Sequence, residues 1–380
     1  MRFRFVAAAL LTAIAFIAQA NAAGPDVQRA RKALADELIA RQNDAPGTSG
    51  AVLSPTSGLI IFQTGVADRR TEEPVNGDTR FFSGSIGKTV TAAVAAKLVS
   101  DGAIALDDPI GKYLSDRPWF KDLKNADKIT VRMLLNHSAG IPSYLDSTRF
   151  FLMQRAHRKN GYTPDKLVSY VAKLPPAGEP GAHFAYSDTH YILAGMIIEK
   201  ATGRSFYDLA DEIVIKPMKL AHTTPLRGRR HDDLANGYRR IGPLARIGGV
   251  AGSTQRKGAL TFNPDYEWAG GGYVTTPADL ASFYSQLFSS EEFAGIREIM
   301  TAPRNLNPVS EGLNYGLGVY VNMRRPPGLV FAHGGDFMGY RSFVLYDDNT
   351  GAAIAVQANA KRYEPGDAAF AILNGVSSAD

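Results

Sequence analysis

In Phe82-Ser83-Gly84-Ser85-Ile86-Gly87-Lys88, a serine and a lysine three apart can share one face of a helix, which brings an amine beside a hydroxyl. A serine hydroxyl is a poor nucleophile at neutral pH, and covalent catalysis begins when a neighbouring base takes its proton. The spacing assigns Ser85 as nucleophile and Lys88 as its partner. Such a pair arises by chance in many chains of this length, so its company has to decide. Downstream, Tyr186-Ser187-Asp188 offers a phenol able to carry a proton and a carboxylate beside it. A third group, His333-Gly334-Gly335-Asp336, ends a strand-like run with glycines that let a backbone or a substrate approach closely.

Several elements must position these groups. Asp26 to Arg41 reads as an amphipathic helix, with Val27, Ala30, Leu34, Leu38 and Ile39 near a 3.6-residue period. Gly50 to Leu53 and Leu59 to Val66 read as a hairpin around Pro55, Ser57 and Gly58. The Ser85 helix continues through Thr91, Ala92, Ala95 and Leu98. From about Asp101 to Arg240 the signals are mostly helical, including Lys166 to Ala172, Tyr191 to Ala201 and Tyr207 to Ile215. Strand grammar returns in Gly318 to Met323, Leu329 to His333, Ser342 to Tyr346 and Ala352 to Gln357, before a last helix at about Gly366 to Leu373. This order predicts an α+β fold: one sheet assembled from both ends of the chain, an all-helical lobe at about residues 90–250 inserted between them, and a site in the cleft.

Arg2 and Arg4, the apolar run Val6 to Ala18 and the small residues Ala20-Asn21-Ala22 form the pattern of a secretory leader over residues 1–22, so an exported chain, periplasmic or secreted, is expected. The run is too short to span a bilayer as a helix of roughly 20 residues. The sequence contains no cysteine, so stability rests on a core rather than on disulfides. The net charge is +5, and losing Arg2 and Arg4 leaves about +3. The densest basic cluster, Arg227-Gly228-Arg229-Arg230, is followed by Asp232 and Asp233, which argues against a nucleic-acid partner.

Taken together, Ser85-x-x-Lys88, Tyr186-x-Asp188 and His333-x-Gly335 resemble the penicillin-recognising serine hydrolases, most closely the branch of class C β-lactamases, DD-peptidases and D-aminopeptidases. Leu134-Leu135-Asn136-His137-Ser138-Ala139-Gly140-Ile141-Pro142, Gly270 to Leu280 and Tyr315-Gly316-Leu317-Gly318 extend the likeness over nearly the whole chain after the leader. The resemblance implies a β-lactamase/transpeptidase-like fold, an antiparallel sheet flanked by helices. It implies acylation of Ser85, with Lys88 and Tyr186 moving the proton. It also places the backbone N–H groups of Ser85 and Asp336 around the oxyanion, worth about 3 kcal/mol per donor, and gives His333 and Gly335 an orienting role. A histidine at 333 makes the local charge sensitive to pH.

Two departures stand out. Asp188 occupies a place where asparagine is usual, and we expect it to pair with Lys88 and favour its protonated form, shifting the base role toward Tyr186. Lys-Thr-Gly is absent from the chain, which weighs against efficient β-lactam hydrolysis. The expected substrates are D-amino-acid peptides or amides, such as D-alanyl ends of cell-wall peptides, by a carboxypeptidase or an aminopeptidase route. Hydrolysis of small acyl esters, β-lactam hydrolysis and a penicillin-binding receptor without turnover are the alternatives. His137 reads as a hydrogen-bonded structural residue, and His183 and His190 lack the spacing of a zinc pair, so neither metal nor cofactor is expected. Gly270 to Gly272 reads as a tight passage under the site. Phe337, Met338 and Tyr340 fit either pocket lining or core.

Overall fold

The computed structural model describes residues 24–153, 157, 160–239, 252–322 and 328–377. The leader at 1–22, the end of the expected helical lobe at 240–250 and Met323 lie outside these residues. Helix α1 (Pro25–Ala40) opens with proline in its first turn and buries Ala30, Leu34 and Leu38 along one stripe. Strands β1 (Gly47–Ser54) and β2 (Gly58–Asp68) form the expected hairpin, with Val52 opposite Ile60, and Ser54 Oγ accepts from the Ser57 N–H at 3.0 Å inside the turn. A short β3 (Glu73–Pro74) follows on the edge.

The next elements carry the chemistry. A 3-10 turn, Gly84–Ile86, leads into helix α2 (Gly87–Ser100), whose residues 87–96 are all buried. Small apolar residues on every side make this a central helix rather than a surface one. Helix α3 (Asp188–Thr202) is buried from Asp188 to Ile198 and packs against α2. Thr276 Oγ1 accepts from the Asp279 N–H at 3.2 Å and so caps helix α4 (Pro277–Ser289).

The chain then supplies β4 (Asn307–Ser310), β5 (Leu313–Tyr315), β6 (Tyr320–Asn322), β7 (Val330–Phe337), β8 (Tyr340–Asp347) and β9 (Ala352–Ala358), and closes with helix α5 (Pro365–Ser377). The antiparallel sheet runs β3-β2-β1-β9-β8-β7-β6-β5-β4, so strands from the two ends of the chain meet where β1 pairs with β9.

Strand β9 is buried along its full length, and its period of two sends alternate residues to opposite layers. Ile354 and Val356 join Leu34, Leu38, Ile372 and Leu373 beneath α1 and α5, whereas Ala353 and Ala355 face the layer that holds Leu280, Tyr284 and Leu287 of α4. Helices therefore cover both faces of the sheet.

Three local expectations are corrected. Short strands at Phe81–Phe82, Thr224–Pro225 and Tyr273–Thr275 form a second small sheet, of which Thr224–Pro225 lies inside the segment expected to be helical, and β4 and β5 extend the main sheet. At two to four residues these strands are too short to show alternation. The helix expected from Tyr207 to Ile215 is Phe206–Ala210 followed by a π-helical turn, Asp211–Ile215. No helix among the described residues is long and apolar enough to cross a membrane.

Candidate active site

The serine turn is wedged against β7. Gly84 has φ +53°, and a Cβ there would lie 2.9 Å from the Asp336 nitrogen. A Cβ on Gly335 would collide with the Ser83 carbonyl oxygen. Glycine at both positions lets the two backbones touch, which brings the Asp336 N–H to the Ser85 turn. Ser83 Oγ fastens the other side, donating to the Gly271 carbonyl at 3.0 Å. Ser85 is half-buried, as a group facing a cleft should be.

Lys88 is fully buried, and its ammonium has three partners: Ser85 Oγ at 3.1 Å, Asp188 Oδ1 at 2.6 Å and the Gly270 carbonyl at 2.8 Å. All three N–H donors are thereby used. Burial alone would push the lysine pKa down, but the charges of Asp188, Tyr186 and Glu267 and the Asp188 hydrogen bond outweigh it, so the pKa is raised. A cation in the first turn of a helix also meets the unfavourable end of the dipole, while Asp188 sits in the first turn of α3, where an anion is favoured. The pair joins two helix N-termini across the cleft. The expected Asp188–Lys88 contact is present, and Asp188 Oδ2 takes a second hydrogen bond from Ser143 Oγ at 3.2 Å.

Tyr186 lies over this pair, with Lys88 Nζ 5.0 Å from its ring centroid. Burial raises the phenol pKa, and although Lys88 and a hydrogen bond from the Ser85 side chain pull the other way, the phenol stays protonated at neutral pH. His137 holds the ring from behind: the ring centroids are 4.2 Å apart, and the Ala185 and Ser187 N–H groups on either side of Tyr186 donate to the His137 carbonyl at 2.8 Å and to Nδ1 at 3.3 Å. His190 Nε2 accepts from the Ile141 N–H at 3.2 Å, which leaves its Nδ1 to donate to His137 Nδ1 at 3.0 Å. His137 is thus structural, as expected, and positions Tyr186 directly.

His333 lies at the centre of the third group but does not carry a pH-sensitive charge near neutrality. Burial lowers its pKa to about 3. Its Nδ1–H donates to the Gly334 carbonyl at 2.7 Å, and its Nε2 accepts from the Tyr315 hydroxyl at 2.9 Å, the pattern of a neutral ring. This corrects the expectation drawn from the residue type. Asp336 Oδ2 is on the rim, 3.5 Å from Arg341 and 3.6 Å from Lys361. Phe337 and Tyr340 belong to the core: Phe337 packs on Phe82 and Tyr266, and the Tyr340 hydroxyl donates to the Ala235 carbonyl at 2.5 Å. Met338 is half-buried.

Glu267 escaped the sequence reading. It lies just before the Gly270-Gly271-Gly272 passage, is 4% exposed, and feels the charges of Asp188, Lys88 and Asp336. The one available signal was an acid next to a glycine run already assigned to the floor of the site. Among the described residues no group of three or more His, Cys, Asp or Glu is placed to hold a metal ion.

A half-buried serine with a buried amine and a phenol at its hydroxyl, and a backbone N–H delivered to the serine turn, is the equipment of acyl transfer. The chain as a whole has known counterparts. A D-stereospecific amidohydrolase from Streptomyces sp. superposes with a TM-score of 0.77 and 28% identity, over 92% of this chain and 99% of that one. The D-amino acid amidase of Ochrobactrum anthropi SV3, complexed with L-phenylalanine amide, gives 0.74 and 25% over 93% and 99%. Penicillin-binding protein 4* of Bacillus subtilis is 25% identical over 306 residues, 78% of this chain and 65% of its own length. The chain spans less than two thirds of the length of the curated relatives it matches. The Beta-lactamase family model matches residues 34–375, nearly everything from the first buried helix to the last, and the chain belongs to that family.

Proposed function

We propose that the protein is a serine hydrolase that works through an acyl-enzyme on Ser85 and acts on D-amino-acid amides or short D-amino-acid peptides. The observation that carries this reading is the convergence of Lys88 Nζ, 3.1 Å from Ser85 Oγ, with the Tyr186 phenol on the same serine. Ser85 Oγ attacks the carbonyl carbon, and its proton enters the Lys88–Tyr186 pair. That pair returns a proton to the leaving amine as the C–N bond breaks, and water then releases the acyl group. The developing oxyanion lies between the Ser85 and Asp336 N–H groups, and the following helix α2 turns its positive end toward it.

Both members of the pair hold protons at rest, since Asp188 favours the charged lysine and burial favours the neutral phenol. One proton has to leave before attack, so acylation should rise with pH. The substrate class draws on the similarity to the D-stereospecific amidohydrolase, the D-amino acid amidase and a D-aminopeptidase of Brucella anthropi, 24% identical over 301 residues. Neutral His333, where many β-lactamases carry a lysine, offers no charge for a substrate carboxylate and favours the amidase side over the carboxypeptidase side.

Export by the leader at residues 1–22 would give the enzyme access to D-amino-acid material outside the cytoplasm; amino-terminal sequencing of the protein recovered outside the cytoplasm checks it. Turnover of D-phenylalanine amide by the wild type and its loss in Ser85→Ala tests the chemistry. Binding without turnover in the wild type would favour a receptor instead.

A further inference from the structure

Glu267 is a buried acid with no counter-ion among the described residues, at the edge of an occupied charge network. Asp188 is matched by Lys88, and Asp336 by Arg341 and Lys361 on the rim. Among the described residues no hydrogen bond or ion pair reaches the Glu267 side chain. Lys88, the cation whose charge acts on it, has no N–H left to give. An acid 4% exposed keeps its proton until a cation joins it, because burial penalises the charged form.

Its position says where that partner would come from. Glu267 Oε2 lies 3.0 Å from where a Gly271 Cβ would be, one residue beyond the carbonyl that holds Lys88, so the carboxylate borders the floor of the serine site. The neighbouring wall is tied to it. The Tyr144 hydroxyl donates to the Tyr266 carbonyl at 2.6 Å, the Tyr144 N–H donates to Thr189 Oγ1 at 3.0 Å, and the preceding Ser143 bonds Asp188. Glu267 and Asp188, whose charges act on each other, are thus both tied to the 143–144 segment beside the serine turn.

We propose that Glu267 selects a protonated amine in the acyl half of the substrate, seating an α-ammonium group beside Asp188. The inference rests on the proposed hydrolase reading and assigns its substrate preference to one residue. An α-amino group sits one bond from the acyl carbonyl, which suits an acid beside the serine turn. Burial, with Asp188 adding to it, raises the Glu267 pKa to about 8, and a free α-amino group titrates near roughly 7.7–8. At neutral pH the empty site therefore holds a proton that leaves to solvent when an ammonium ion arrives. Lys88, Asp188, Asp336, Tyr144 and Tyr207 are the charged or titratable groups that share this field.

The test uses two substrates that differ only in the amine, D-phenylalanine methyl ester and methyl 3-phenylpropionate, with acid release followed chromatographically for the full chain and for Glu267→Gln and Glu267→Asp. The wild type should prefer the amine-bearing ester. In Glu267→Gln the ratio of the two kcat/KM values should fall roughly 10- to 100-fold, the size of one hydrogen bond to a charged group, and Glu267→Asp should recover part of it. A loss shared equally by both esters, leaving the ratio unchanged, would make Glu267 merely structural and overturn the assignment. An unchanged ratio with unchanged rates would do the same. If the wild type cleaves neither ester, the hydrolase reading itself fails and takes this one with it.

Discussion

The two faces of the main sheet are built on opposite principles. Beneath α1 and α5 the layer is apolar, with Leu34, Leu38, Ile354, Val356, Ile372 and Leu373 all fully buried. On the cleft side, Lys88, His137, Asp188, His190, Glu267 and His333 are buried as well, each within a network of charges or hydrogen bonds. The first layer gains stability from every residue. The second spends stability on desolvating ionisable groups, which only a site needs. Substitutions should therefore separate into two kinds, those that change the rate and those that change the melting temperature.

The largest effect belongs to the cleft. Ser85→Ala should lower kcat by more than about 10³-fold, as removal of an acyl-accepting serine does elsewhere, with little change in the melting temperature. A residual rate near the wild type would place the chemistry on another group. In the apolar layer the reverse is expected: Leu34→Ala should cost about 2–5 kcal/mol in denaturant titration while the kcat of the folded fraction stays the same.

Asp188→Asn sharpens the account of the cleft. Removing the carboxylate takes away a charge that raises the Lys88 pKa, so the amine should lose its proton more readily and the acid limb of kcat/KM should move to lower pH. An unmoved limb would mean that Asp188 does not set the protonation of Lys88.

The next difference appears in stability against pH. Burial lowers His190 and His333 to about 3, and His137 also falls well below its ordinary value. Their neutral forms stabilise the fold fully above about pH 6.5, and that contribution is lost as pH falls toward 3. Glu267, raised to about 8, acts in the opposite sense: stability present below its ordinary value near 4.5 is lost as pH rises through 8. Calorimetry should show a melting temperature that declines on both sides of neutrality, with Glu267→Gln removing part of the alkaline fall. On the surface, Lys97→Ala breaks an exposed pair with Asp101 and should change stability by less than about 0.5 kcal/mol.

The same contrast explains what was legible in the sequence. Leu34 and Leu38 announce their helix by period, and Val52 opposite Ile60 follows from the hairpin turn, because these signals are local. Ser85 and Lys88 were legible for the same reason, and resemblance supplied Tyr186, Asp188 and His333. The His333 charge was misjudged because burial, set by Tyr315 and the surrounding sheet, is not written in residue type. Glu267 stayed hidden because its isolation depends on Lys88 and Asp188, about a hundred residues apart in the chain and brought together by the meeting of α2 and α3.

The central claim is an acyl-enzyme on Ser85, and its most direct test is intact mass measurement after rapid acid quench of the protein mixed with D-phenylalanine methyl ester. The expected result is an adduct of the phenylalanyl mass that maps to the peptide carrying Ser85 and is absent from Ser85→Ala. Turnover with no adduct at any quench time, or an adduct that survives in Ser85→Ala, would contradict it.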